Sequence, residues 1–272
     1  VFTLDISLTT TALETLKGEL TRNLPAVKSS HRCEALGRSL GFNTYASART
    51  AASSPQPSTT TVNGDAFTEY LANHGFNVSA LPVFHAAAKA SLKDVAQRTP
   101  QLTLWGFGIG RPQRGADGKR ETSEAFDKRF VQARADLIAD RAVRPFLLSL
   151  ALLSRVVPTK TIRRGTGSYR SKHIAENYVC TYPGGEPLGP HYVPNGAFIA
   201  AAIHAGFRYK SHVDELGYDD LNARFNMSKP RLDDLDCEIR PDGGFAQDRR
   251  RRSEMIQEYG RRRYNWMMKG TA

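Results

Sequence analysis

Residues 196–205, GAFIAAAIHA, are too apolar to form an exposed helix. Pro194 and Asn195 stand before the run and Gly206 after it, which predicts a single buried helix between them. Phe198, Ile199 and Ile203 supply bulk, and the alanines let a neighbouring backbone approach closely. A helix that reads base edges carries more polar side chains, so this one is expected to support a working surface. His204 at its end is expected to be a structural histidine and not a ligand.

The preceding segment has the opposite character. Residues 159–182 carry Lys160, Arg163, Arg164, Arg170 and Lys172 against Glu176 alone. Gly165 and Gly167 interrupt the basic run, and Ser168 is a good N-cap for a helix from about Tyr169 to Val179. Arg170, Lys172 and His173 then sit in its first turn, where cations oppose the helix dipole. A bound phosphate would reconcile them; a solvated basic turn is the alternative. The expectation is that 160–173 works and 196–205 supports it.

Charge extends that reading to the whole chain. A net charge of +11 over 272 residues favours a polyanionic partner. No apolar stretch approaches the length of a membrane span; the longest, near Pro145–Val157, is broken by Ser149, Ser154 and Arg155. Cys33, Cys180 and Cys237 form neither a disulfide framework nor a zinc pattern, which suits a reducing cytoplasm. GFGIG at 106–110 lacks dinucleotide-binding spacing and is followed by no P-loop GK[ST]. No metal or cofactor is expected, nor any membrane partner.

Along the chain, residues 1–8 alternate with period two, as a short strand does. Leu13, Leu16, Leu20 and Leu24 line one face of a helix closed by Pro25. Ser29 or Ser30 caps a second helix that Gly41 ends, and Asn43 caps a third, TYASARTAA. These three make a small helical module, 1–52, open to a helix-turn-helix arrangement. SSPQPSTTT, 53–61, reads as a flexible linker. The larger domain, 62–248, begins with helices at 65–76 and 82–98, then a strand-like run at 102–110. A charged amphipathic helix follows at 122–141, and Pro145 starts or kinks an apolar one. FRYK and NARFNMS are expected to pair as short strands, and 230–244 to be loop, with Asp233, Asp234 and Asp236 in a solvated turn. The fold class is therefore α+β, mainly helical, with a minor antiparallel sheet.

Residues 13–50 resemble the small helical module called the glyoxalase-related protein domain, through Leu16, Leu20, Leu24, Ser30, His31, Glu34, Ala35, Leu36, Gly41, Phe42 and Tyr45. The resemblance implies a helical fold and assigns no activity. Further on, Ser168, Tyr169, Lys172, His173, Glu176, Tyr192, Val193, Asn195 through Ala202, Asn222, Phe225, Asn226 and Ser228 resemble uncharacterised proteins of bacterial plasmids and integrative elements. Arg170 and Ser171 depart from the Gly-Leu usual there. That resemblance implies a mobile-element setting and no mechanism.

Residues 249–272 form the second basic stretch, an expected C-terminal helix. Arg249, Arg250, Arg251, Arg252, Arg261, Arg262, Arg263 and Lys269 face only Glu254 and Glu258. Tyr259, Tyr264 and Trp266 are interleaved with them; arginine pairs bidentately with phosphate, and aromatic rings stack on unpaired bases. Docking of the apolar side onto the body is compatible with that role. The leading expectation is a DNA- or RNA-binding protein of a nucleoprotein complex, gripping phosphates through 160–172 and these arginines on one electropositive face. Two alternatives stay open. One is a metal-independent nuclease or strand-transfer enzyme using His173 as base or Tyr169 as nucleophile. The other is an inhibitor or adaptor for an acidic protein.

Overall fold

Phe2, Leu4, Ile6 and Leu8 are buried and the residues between them exposed, so the N-terminal alternation becomes strand β1 (Asp5–Leu8) with one face on the core. The computed structural model describes residues 2–116 and 118–269. The Thr9 hydroxyl accepts from Ala12 N at 3.1 Å and starts α1 (Thr10–Asn23), which buries Leu13, Leu16 and Leu20. Helix α2 (Ser29–Ser39) comes so close to α3 (Tyr45–Ala52) that a Cβ on Gly37 would lie 2.7 Å from Tyr45 N. Thr44, and not Asn43, caps α3, because its hydroxyl accepts from Ser47 N.

The 53–61 stretch is not a flexible linker throughout. Its second half is strand β2 (Ser58–Thr61), antiparallel to β1 with Asp5 opposite Thr61 and Leu8 opposite Ser58. Threonines suit a strand edge, and the pairing satisfies backbone groups that a linker would leave to water. Helices α4 (Gly64–Ala72) and α5 (Leu81–Arg98) follow, and α1 lies along α5. Lys89 of α5 and Arg22 of α1 both pair with Asp140, at 2.8 and 2.6 Å. The apolar side chains from Phe2 to Leu235 form one core, so the first 52 residues share it with the rest.

Short strands β3 (Leu102–Thr103) and β4 (Gly106–Phe107) make a tight hairpin. The expected 122–141 helix divides into α6 (Ser123–Leu137) and the start of α7 (Asp140–Leu153), with Pro145 inside α7. Helix α8 spans Ser168–Glu176 and α9 spans Asn195–His204. Every residue of α9 from Asn195 to Ala202 is buried. Its first turn sits against the β3–β4 turn, where Gly196 N donates to Leu104 O at 2.9 Å. A Cβ on Gly196 would fall 1.8 Å from Thr103 O, so glycine alone fits there.

Strands β5 (Tyr209–Val213) and β6 (Asp219–Phe225) pair antiparallel, as expected of FRYK and NARF. The expected loop at 230–244 is instead mostly helix α10 (Lys229–Ile239), with the Ser228 hydroxyl accepting from Arg231 N and Leu232 and Leu235 buried. Pro230 falls in the first turn of α10, where its missing N–H costs nothing. Helix α11 (Gly244–Lys269) ends the described chain. Among the described residues the fold is thus mainly helical α+β, with eleven helices and three two-stranded antiparallel sheets. None of these helices is long and apolar enough to cross a membrane.

Two half-buried histidines pack against rings of the core. His85 Nε2 lies 2.9 Å from the Tyr182 hydroxyl, and the His204 ring meets Phe146 edge-on. Burial pushes both below the ordinary histidine value of 6.5. Folded values below the unfolded one mean that their contribution to stability is complete above the unfolded pKa and is lost as pH falls through that value and below. The melting temperature is therefore expected to drop on acidification from about pH 7.5 to about pH 5. Thermal scans of a His85→Gln/His204→Gln variant should show a shallower drop.

Candidate nucleic-acid interface

The basic loop 158–167 is stitched at both ends to the outer side of β6. At one end Thr159 N donates to Asn226 O at 2.6 Å, and Asn226 Nδ2 donates to Thr159 O at 2.8 Å. At the other, Phe225 N donates to Thr166 O at 3.2 Å and the Thr166 hydroxyl to Phe225 O at 2.7 Å. Ser168 does not cap α8, as its position suggested; Gly167 is the N-cap residue, and the Ser168 hydroxyl accepts from Ala223 N at 3.1 Å. The strap left between the stitches carries Lys160, Arg163 and Arg164, all exposed. None of the three forms an ion pair among the described residues.

The neighbouring hairpin adds cations that sequence reasoning missed. Lys210 of β5 lies directly opposite Arg224 of β6, and both are exposed, while Ala223 and Phe225 on either side of Arg224 are buried. Directly opposed residues of an antiparallel pair share one face, and like charges there repel. Neither has an ion-pair partner among the described residues, and Gly167 of the strap bridges to Arg224. The alternation Ala-Arg-Phe marks Arg224 as outward-facing, but only the strand register brings it to Lys210.

Two expected phosphate ligands are already neutralised. The Arg170 guanidinium donates to Asp233 Oδ1 at 2.7 Å and to Asp236 Oδ2 at 2.9 Å, and lies 4.9 Å from the Phe245 ring centroid. Asp236 is fully buried, also takes Arg240, and accepts from Phe245 N at 3.3 Å at the start of α11. Asp233 and Asp236 are thus not in a solvated turn: α10 supplies the anions that the first turn of α8 demands, which phosphate was expected to provide. Burial opposes the charge on Arg170, but its bonds to the two aspartates outweigh it and raise its pKa. Lys172 is likewise buried and donates to Glu176 Oε1 at 2.8 Å.

Around Lys172 the side chains form an ordered cluster. Its Nζ lies 5.3 Å from the Tyr169 ring centroid and 5.2 Å from that of Tyr192, both rings more than half exposed. His173 Nδ1 is 2.6 Å from Glu176 Oε2, and its ring meets Tyr169 edge-on at 4.7 Å. Burial would raise the Glu176 pKa, but hydrogen bonds from Lys172 and His173 bring it below the ordinary value. Among the described residues no hydrogen bond joins the Tyr169 hydroxyl to His173, and no cluster fit to hold a metal ion is present.

Helix α11 meets the body at Phe245, the contact that joins the two basic segments. From Gln247 to Arg263 every residue is exposed, so the helix projects without docking its apolar side. Met255, Ile256, Tyr259 and Trp266 are all exposed. Arg250 lies near Asp242 and donates to Pro241 O, and Arg262 pairs with Glu258. Arg249, Arg251, Arg252, Arg261 and Arg263 have no ion-pair partner among the described residues. The Tyr264 side chain lies outside the described residues.

Compared with protein-family models, curated proteins and solved structures, the chain finds no match. The joint between α8, α10 and α11 can be tested directly. Breaking a buried ion pair typically costs about 3–5 kcal/mol, so Asp236→Ala is expected to lower the urea midpoint strongly. Arg170→Lys should also lower it, since one ammonium cannot span two carboxylates as a guanidinium does.

Proposed function

We propose that the protein binds nucleic acid, holding phosphates with the strap cations Lys160, Arg163 and Arg164, the hairpin pair Lys210 and Arg224, and the free arginines of α11. The observation that carries this reading is the directly opposed Lys210–Arg224 pair beside a strap whose cations meet no carboxylate among the described residues. A protein surface ordinarily intersperses charges of both signs; five clustered unpaired cations repel one another until a polyanion screens them. Arg170 and Lys172 act in this reading as struts, not as phosphate ligands. The resemblance to plasmid and integrative-element proteins supplies a setting, a nucleoprotein complex of a bacterial mobile element, without choosing between DNA and RNA.

Counterion release gives the test. The logarithm of affinity should fall linearly with the logarithm of salt concentration. Alanine at Lys160, Arg163, Arg164, Lys210 or Arg224 should each reduce that slope by about one and weaken binding to all sequences alike. Lys210→Ala should leave the folding midpoint unchanged or raise it, because a repulsive cross-strand pair is removed. Binding that ignores salt, or preference for an acidic protein over oligonucleotides, would sink the proposal.

A second reading, cleavage of the bound strand, is favoured by one observation: Glu176 holds the His173 ring by Nδ1, as an orienting carboxylate holds a general base. In that case a labelled oligonucleotide is cut without added metal, and His173→Ala abolishes the product while leaving binding intact. Intact oligonucleotide after prolonged incubation with the native chain excludes it.

A further inference from the structure

A groove of about 650 Å³ opens between the strap and the start of β5, lined by Lys160, Thr161, Ile162, Phe207, Arg208 and Tyr209. We infer that it seats an unpaired nucleobase, so that the protein engages single-stranded nucleic acid; this rests on the nucleic-acid reading above. The lining is one threonine, the apolar Ile162 and two aromatic residues, Phe207 and Tyr209, with two cations and no carboxylate. A base within a strand has the same two parts, a planar apolar face and a flanking phosphate.

The groove is already in the shape that binding needs. Tyr209 is 37% exposed and its ring stacks on Phe107, centroids 5.2 Å apart and planes 28° from parallel. Phe107 is buried in the β3–β4 hairpin, which fixes the exposed ring from behind. The Arg208 guanidinium donates to Lys160 O, so strap and strand are tied across the groove. Arg208 N donates to Asn226 Oδ1 at 2.6 Å and holds the same stretch of backbone to β6. Ordering an aromatic platform is a cost of binding that this packing has met in advance. Lys160 stands exposed beside the groove and links it to the phosphate-gripping strap.

Duplex bases are stacked on one another and cannot present a face to such a groove, whereas an unpaired base can. An apolar peptide side chain would suit the lining but would leave the cations unanswered. Charge complementarity therefore favours the nucleic-acid strand as occupant.

The test is fluorescence anisotropy of the native full chain with labelled 20-mers of dT and of rU and a 20-base-pair duplex, in one buffer. The single strands are expected to bind more tightly than the duplex. Tyr209→Ala should weaken single-strand binding between roughly 5-fold and 150-fold, the usual range for losing one stacked base, and barely change duplex binding. Tyr209→Phe keeps the ring and should bind as the native chain does. Should Tyr209→Ala fail to fold, Ile162→Asn replaces it: a polar but uncharged side chain in the groove should weaken single-strand binding and spare the duplex. Equal affinity for all three probes, with the groove variants unaffected, overturns the base pocket and leaves the phosphate-gripping face standing. No binding of any probe at low salt overturns both.

Discussion

The basic face is held in place from behind by the burial of α9. Its residues from Asn195 to Ala202 are all buried, and its small side chains let α5, α7 and α8 close around it. At Gly196 the helix touches the β3–β4 turn with no room for a Cβ. That hairpin holds Phe107 behind Tyr209, and α9 also lies against β6, which carries the basic strap. Bulk added to this helix would therefore reach the cationic surface through two separate routes.

Charge pairing then divides the cations into two populations. Arg170 and Lys172 lie on a buried or half-buried flank of α8, where an unpaired charge is costly, and each has found a carboxylate. Lys160, Arg163, Arg164, Lys210 and Arg224 are exposed, so water tolerates them without an ion-pair partner among the described residues. An exposed cation left unpaired among similar neighbours remains available to an external anion. The same logic applies to α11, whose first turn is held by Asp236 through Phe245 N, while Arg249, Arg251, Arg252, Arg261 and Arg263 of its projecting part have no ion-pair partner among the described residues.

Several features were legible because they follow from local pattern. The alternation at Phe2–Leu8, the leucine face of α1, the apolar character of α9, the pairing of FRYK with NARF and the C-terminal basic helix all declare themselves over a few turns or one strand pair. Other features were hidden because they depend on partners far along the chain. The stretch Ser58–Thr61 reads as linker until β1 offers it an edge: the serine and the three threonines after it pair with strand residues near the other end of the N-terminal region. The acidic run Asp233–Asp236 reads as solvated until Arg170, over sixty residues earlier, is placed beside it.

Composition and periodicity act within a segment, and they were enough to make this chain basic, mainly helical and built over a buried alanine-rich helix. Which cations remain free was settled in three dimensions, because that depends on which carboxylates come within about 3 Å of them. The folded chain also paired Lys210 with Arg224 and set Tyr209 on Phe107, since strand register and ring stacking join residues whose separation along the chain carries no local signal.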